Sequence, residues 1–351
     1  MQLNGKKVLV TGGAGFIGSN LVDGLIEQGN KVVVLDDLSS GKESNIKQAL
    51  DTGNCRFIKG SITENDAVKE ALKDIDVVIH MAVQCLRLSF DKPFLVHEVN
   101  ATGTLNVLKL AQDMCEARQK PLDRFVYVSS SEVYGTAITA PMTETHPLCP
   151  TTVYGASKLA GELYTDAFGK TYGMPVLVVR PFNTYGYREH HEGVHGEVIP
   201  RFLVRMLNNL APVIYGDGSQ TRDFTFVPDT VQGIIAATCA ENLVGKAVNV
   251  ARGQEVTIRK IAEMMIDILG KKEMKVVFEK ERPADVSRHY ADINLIKQMT
   301  GFEPKTSIED GLKAYISWFQ AQNHDLSGLL KDCALTNWNA ADAKVLSTSP
   351  R

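Results

Sequence analysis

The most constraining feature lies near the start of the chain. A short apolar run, Lys7 to Val10 (KVLV), runs into TGGAGFIGSN and then into the helix-like LVDGLIEQG. Gly12, Gly15 and Gly18 therefore sit between a strand and the helix it feeds. Glycines at this spacing permit a tight turn and a close backbone approach to a pyrophosphate, and the helix N-terminus adds N–H donors and partial positive charge. The context required of such a loop is complete: strand before, helix after, and Asp36-Asp37 at the end of a second apolar run, Lys31 to Leu35 (KVVVL). A carboxylate at Asp36 suits an adenosine ribose and repels a 2′-phosphate, which favours NAD over NADP.

The same texture repeats. CRFIKG, DVVIHMA, RFVYVSS and PVLVVRPF are further short apolar runs, separated by helix-like stretches such as ATGTLNVLKLAQDMCEA. Nearly continuous Val/Ile/Leu strands alternating with helices predict βαβ units and a parallel sheet covered on both faces. The predicted fold is α/β, a doubly wound parallel sheet with a smaller, interleaved C-terminal α/β lobe. Residues 1–182 with a returning segment at about 223–252 form the first unit; 183–222 and 253–322 form the second. Helices are expected at VIPRFLVRMLNN, around Asp229 to Ala240, and from Ile258 to Leu269. Past about Asn323 the periodicity fades, so 323–351 reads as an extension with STSPR as a loose end.

Composition narrows the function classes. The chain has 351 residues, 44% hydrophobic and 23% charged, enough for a sizeable core. With 38 basic and 41 acidic side chains the net charge is −3, which argues against a nucleic-acid partner. No apolar run is long enough to span a bilayer. Six scattered cysteines without a C-x-x-C pair point to mostly buried thiols in a reducing compartment, hence a cytoplasmic setting.

A second constellation carries chemistry. Tyr154-Gly-Ala-Ser-Lys158 sets a phenol and an ammonium one helical turn apart. The lysine is expected to pull the phenol below its ordinary value of about 10, making Tyr154 a base. Ser129-Ser130-Ser131-Glu132 follows the strand RFVYV, at the carboxyl end where doubly wound sheets bind ligands.

Together these motifs resemble the extended short-chain dehydrogenase/reductases, specifically their nucleotide-sugar epimerases, dehydratases and decarboxylases. The resemblance runs through VSSSEVYG, YGASK, RPFNTYG, YGDGSQTRDFTFVPD and RPADVSRHYAD to GFEPKTSIEDGL. It implies a Rossmann domain with retained NAD, a smaller substrate lobe for a nucleotide-diphosphate sugar, transient oxidation at sugar C4, and a homodimer. Tyr154 would take the 4-hydroxyl proton, Lys158 would hold the cofactor ribose and tune the phenol, and Ser130 would hydrogen-bond the 4-oxygen. Around NAD the resemblance places Gly12, Gly15, Phe16, Ile17, Gly18, Asp36, Asp37, Ser61, Ile62, Met81, Ala82, Val83 and Asn100. His80 and Ala82 fall on the nicotinamide side, and Ser61 replaces the usual Asp beside adenine. Toward substrate it places Cys85, Arg87, Asn183, Arg222 and Arg288, the two last as a diphosphate clamp.

The 4-ketone leaves three outcomes open: 4-epimerisation, loss of water from C6, or decarboxylation of a uronic acid. Glu132 resembles the elimination base of the 4,6-dehydratases. With Ser131 before it, the pair resembles GDP-mannose dehydratases and UDP-glucuronate decarboxylases. The expectation is a dehydratase, with epimerase and decarboxylase as alternatives and a non-catalytic NAD sensor as the alternative of a different class. His190, His191 and His195 could suit zinc by spacing, but the reaction needs no metal. The segment is expected to be a substrate-covering or lobe-connecting loop.

Overall fold

The computed structural model describes residues 1–281, 286–322 and 324–332. Its strands are β1 (Lys7–Thr11), β2 (Lys31–Asp36), β3 (Cys55–Lys59), β4 (Val77–His80), β5 (Arg124–Val128), β6 (Val176–Pro181), β7 (Asn183–Tyr185), β8 (Val213–Tyr215), β9 (Thr221–Arg222), β10 (Phe224–Phe226), β11 (Ala247–Val250), β12 (Val256–Thr257) and β13 (Val277–Glu279). Seven form one sheet in the order β11-β6-β5-β4-β1-β2-β3. Every pairing in it is parallel. This is the expected doubly wound α/β sheet, with β1 at the point where the strand order reverses. All six apolar runs read from the sequence are strands of this sheet, and both its faces carry buried Val, Ile and Leu.

Each face is covered by helices. Phe16–Glu27 and Val227–Cys239 pack on one side through Leu21, Leu25, Val231 and Ile235. Thr104–Arg118 and Val153–Tyr172 cover the other. The last of these starts where Thr152 Oγ1 accepts the Gly155 N–H at 3.0 Å, and it ends at Gly173 in the left-handed region. It lies unusually close to the sheet, because a side chain at Gly161 would collide with the Tyr127 phenol. The same helix carries both Tyr154 and Lys158.

After β6 the chain leaves the sheet and returns only at β11. The excursion builds paired short strands, β7 with β10, β8 with β13 and β9 with β12. Helices Val198–Leu207, Ile258–Ile268 and Ile308–Ala321 enclose a separate core with Phe202, Phe224, Met265, Leu312 and Phe319. The helices expected here are present, their ends moved by one or two residues. The tail departs from expectation. Leu326–Asp332 is a helix, and Leu326, Leu329 and Leu330 pack on this core, an apolar set too short for periodicity to show. Residues 333–351, including STSPR, lie outside the described residues.

Asp223, between β9 and β10, ties this region to the sheet. It is fully buried, and its carboxylate accepts N–H groups from Arg252 (3.0 Å), Gly253 (2.9 Å) and Ala291 (3.2 Å). Burial nevertheless raises its pKa to about 7. Removing the carboxylate strands three donors, one of them buried and two half-buried. Asp223→Ala is expected to lower unfolding free energy by about 3 kcal/mol in urea titration. A change below about 0.5 kcal/mol would deny it this tying role.

Candidate active site

One cavity of about 440 Å³ runs along the carboxyl ends of the sheet strands into the second core. The glycine turn forms its floor at one end. A Cβ on Gly12 would stand 2.8 Å from the Ala82 backbone, and one on Gly18 would collide with the Gly12 carbonyl. The helix Phe16–Glu27 begins there with no side-chain cap, so its first N–H groups face the cavity end without intrahelical acceptors. Asp36 is buried beside this turn. Its carboxylate accepts the Ala14 N–H at 2.9 Å and the Leu38 N–H at 2.8 Å, while burial pushes its pKa up. A glycine cradle that no Cβ would fit, an uncapped helix start and a fixed carboxylate suit a dinucleotide.

Gly15, Phe16, Ile17, Asp37, Ser61, Ile62, Met81, Ala82 and Val83 also line this half, as the sequence suggested. Asn100 does not. Its side chain is buried under the floor, accepting from Gln84 N (2.8 Å) and donating to Gln84 O (3.1 Å) and Ser157 Oγ (3.0 Å). Asn100 thus holds the loop after β4 from beneath, outside the cavity lining. His80 is likewise interior, bonded to Thr11 Oγ1 (2.6 Å) and Thr104 Oγ1 (2.9 Å). Burial holds its pKa down to about 3, so the ring stays neutral.

In the middle of the cavity Ser130, Glu132, Tyr154 and Lys158 meet. The Ser130 hydroxyl stands close enough to the Tyr154 phenol to favour its ionised form, and Ser130 Oγ accepts the Glu132 N–H at 3.2 Å. Lys158 Nζ donates to the Val128 carbonyl at 2.7 Å and lies 4.4 Å from the Tyr127 ring centroid. The expected electrostatics are reversed. Burial pushes the Tyr154 phenol well above its ordinary value, opposed by the Ser130 hydroxyl and reinforced by Glu132. Lys158 is itself lowered to about 7 by burial. Two groups enclosed together both favour their neutral forms, which helical spacing alone does not reveal.

Ser131 is not in the cavity. It is buried, and its carbonyl accepts from His289 Nε2 at 3.2 Å, because the turn after β5 points alternate residues away from the opening. Ser129 lines the cavity instead, its buried Oγ without a hydrogen-bond partner among the described residues. Asn183 does too, its buried Oδ1 likewise without a partner among them.

Cys85, Arg87 and Arg222 also line the cavity, the first two near enough to Tyr154 to interact with it electrostatically. Arg222 donates to the carbonyls of Thr221 (2.8 Å) and Val286 (2.6 Å). Arg288 departs from expectation: it is exposed, paired with both carboxylate oxygens of Glu255 and stacked over Tyr290, outside the cavity lining. The nearby carboxylate captures it. Arg201 and Arg205 line the wall in its place. Their signal was present, two arginines one turn apart in VIPRFLVRMLNN, but only the fold turns that face inward.

The His-rich segment covers part of the opening, with His190 and His195 among the lining residues. Arg87 grips it, donating to Glu197 Oε1 at 2.6 Å and Oε2 at 3.2 Å and to the His195 carbonyl at 2.9 Å. Lys42 pairs with Glu192 at 2.7 Å. Burial lowers His190 to about 4.

The family model described as GDP-mannose 4,6 dehydratase matches residues 9–315, and the chain belongs to that family. Among curated proteins, a putative UDP-glucose 4-epimerase of Methanocaldococcus jannaschii is 34% identical, over 90% of this chain and 99% of its own length. A UDP-N-acetyl-alpha-D-glucosaminuronate decarboxylase of Bacillus cytotoxicus is also 34% identical, over 91% of this chain and 99% of its own. Among solved structures, DesIV, a dTDP-glucose 4,6-dehydratase of Streptomyces venezuelae with NAD and TYD bound, superposes with a TM-score of 0.83 at 30% identity. It covers 90% of this chain and 97% of its own. The relatives of this chain are therefore nucleotide-sugar epimerases, dehydratases and decarboxylases. No helix among the described residues is long and apolar enough to cross a membrane.

The grip on the His-rich segment is directly testable. Arg87→Met is expected to speed tryptic cleavage at Arg188 several-fold, read by mass spectrometry, while the melting temperature moves little. Unchanged cleavage would show that the segment is held by other contacts.

Proposed function

We propose that this chain is an NAD-dependent nucleotide-sugar 4,6-dehydratase. The observation that carries the reading is Glu132, a carboxylate in the same cavity as the Ser130–Tyr154 pair. NAD would lie from the glycine turn and Asp36 to Tyr154 and Lys158, in the residue 1–182 unit with its returning segment 223–252. The sugar nucleotide would lie toward 183–222 and 253–322, with Arg201, Arg205 and Arg222 near its diphosphate, a use that guanidinium geometry favours. NAD bound there supplies the hydride acceptance and return that make the reaction redox-neutral.

The chain's own groups do the rest. Tyr154 accepts the 4-hydroxyl proton as C4 becomes a carbonyl, and Ser130 donates to that oxygen. The ammonium of Lys158, one turn along the helix, offsets the burial that otherwise keeps the phenol protonated. The 4-ketone acidifies C5–H. Glu132 takes that proton and returns it to the departing 6-hydroxyl, which leaves as water. The neutral interior ring of His80 adds no competing charge beneath the site.

A second reading, 4-epimerisation without elimination, is favoured by the name of the M. jannaschii relative. Incubation with UDP-, GDP- and TDP-sugars, followed by mass spectrometry, separates the readings. A product lighter by one water is expected. Unchanged mass with an inverted C4 would establish the epimerase, and loss of carbon dioxide from a uronate the decarboxylase. No conversion together with NAD-free protein would end the enzyme reading.

Glu132→Gln gives a separate test. Elimination is expected to fall by about 10²-fold or more, while exchange of a C4-deuterium label into the cofactor persists. Undiminished elimination would remove Glu132 from its role.

A further inference from the structure

One turn beyond Lys158, the Val153–Tyr172 helix carries a buried acid that the proposed chemistry does not use. Glu162 is 5% exposed and Arg180, on β6, 4%. The guanidinium holds the carboxylate at both oxygens, Nε to Oε1 at 2.9 Å and Nη2 to Oε2 at 2.7 Å. Arg180 Nη1 is anchored in turn by the Tyr134 hydroxyl (2.9 Å) and the Glu144 carbonyl (3.2 Å). Tyr134 donates to Asn249 Oδ1 at 2.7 Å on β11. The carboxylate is thus fixed from β6, with β11 and the turn after β5 behind it. A buried ion pair of this kind seldom stabilises a fold more than apolar residues of the same volume would. Its presence calls for another reason.

Lys158 supplies one. Its ammonium has one hydrogen-bond acceptor among the described residues, the Val128 carbonyl. The titratable groups around it come from four elements. Its own helix offers Tyr154 and Glu162, β5 the Tyr127 ring, β4 His80, and β6 Arg180 behind Glu162. Burial keeps both phenols protonated and His80 neutral. Glu162 is the one group of this set that favours the charged form of Lys158.

We propose that Glu162, clamped by Arg180, is a positioning residue that keeps Lys158 protonated in its enclosed pocket, so that the ammonium can act on Tyr154. This rests on the role given to Lys158 under the proposed function. The sign is fixed. Lys158 is already lowered to about 7 and loses its charge as pH rises through that value. Without Glu162 the loss occurs at lower pH, so less ammonium is present at neutrality.

The test titrates Lys158 directly, by NMR of the full chain carrying isotope-labelled lysine, its resonance assigned by disappearance in Lys158→Met. In Glu162→Gln the midpoint is expected to fall by roughly one pH unit or more. Because that variant leaves Arg180 unpaired, a charge-free double variant, Glu162→Leu with Arg180→Met, is measured beside it and checked for folding by circular dichroism. The same fall in the folded double variant supports the proposal. A Lys158 midpoint unchanged from the parent overturns it and leaves the pair a purely structural one. Glu162→Asp, which restores the anion, is expected to recover most of the parental midpoint. The readout needs no substrate, so a failed sugar panel with a shifted Lys158 would end the dehydratase reading alone.

Discussion

Burying an ammonium is the constraint around which this molecule is arranged. Lys158 sits 2% exposed under the carboxyl end of the sheet, held by one carbonyl and an aromatic face. That arrangement exists because the Val153–Tyr172 helix presses onto β5 at Gly161, where any side chain would strike Tyr127. The close approach brings the lysine to the end of β5, where Ser129 and Ser130 emerge, and places Tyr154 beside them. A looser helix would admit water, and an ammonium in water would need neither carbonyl nor counter-charge.

The same closeness explains why helical spacing alone misleads about the phenol. Counting residues correctly sets Tyr154 and Lys158 on one face, yet enclosure works against charge on both. Nucleotide enzymes of this architecture place their reacting groups at the carboxyl ends of strands, where the backbone supplies donors and acceptors in fixed positions. Here Gly12 follows β1, Ala82 follows β4, Ser130 follows β5 and Asn183 follows β6. Four separate crossovers converge on one cavity without any of them needing to be long.

What the sequence made legible was local. The strand runs, the glycine turn with Asp36, and the Tyr154/Lys158 turn depend on neighbours within a few residues, and all occupy the expected places. What it hid depends on partners far along the chain. Asn100 is occupied by Gln84 and Ser157, Ser131 by His289, and Arg288 by Glu255. None of these pairings has a periodic signature. Arg201 and Arg205 were visible as charges on a helix, but their inward aim follows from how that helix packs on the second core.

That helix has backing from an unexpected direction. Asn208, just past its end, donates to the Leu326 carbonyl at 2.9 Å, and the Leu326–Asp332 helix lies against it. The wall that presents Arg201 and Arg205 is therefore braced from behind by the Leu326–Asp332 helix. Leu326, Leu329 and Leu330 shape the cavity without lining it. A change in that short helix would reseat the beam that carries both arginines and alter the cavity's depth without altering a single lining residue.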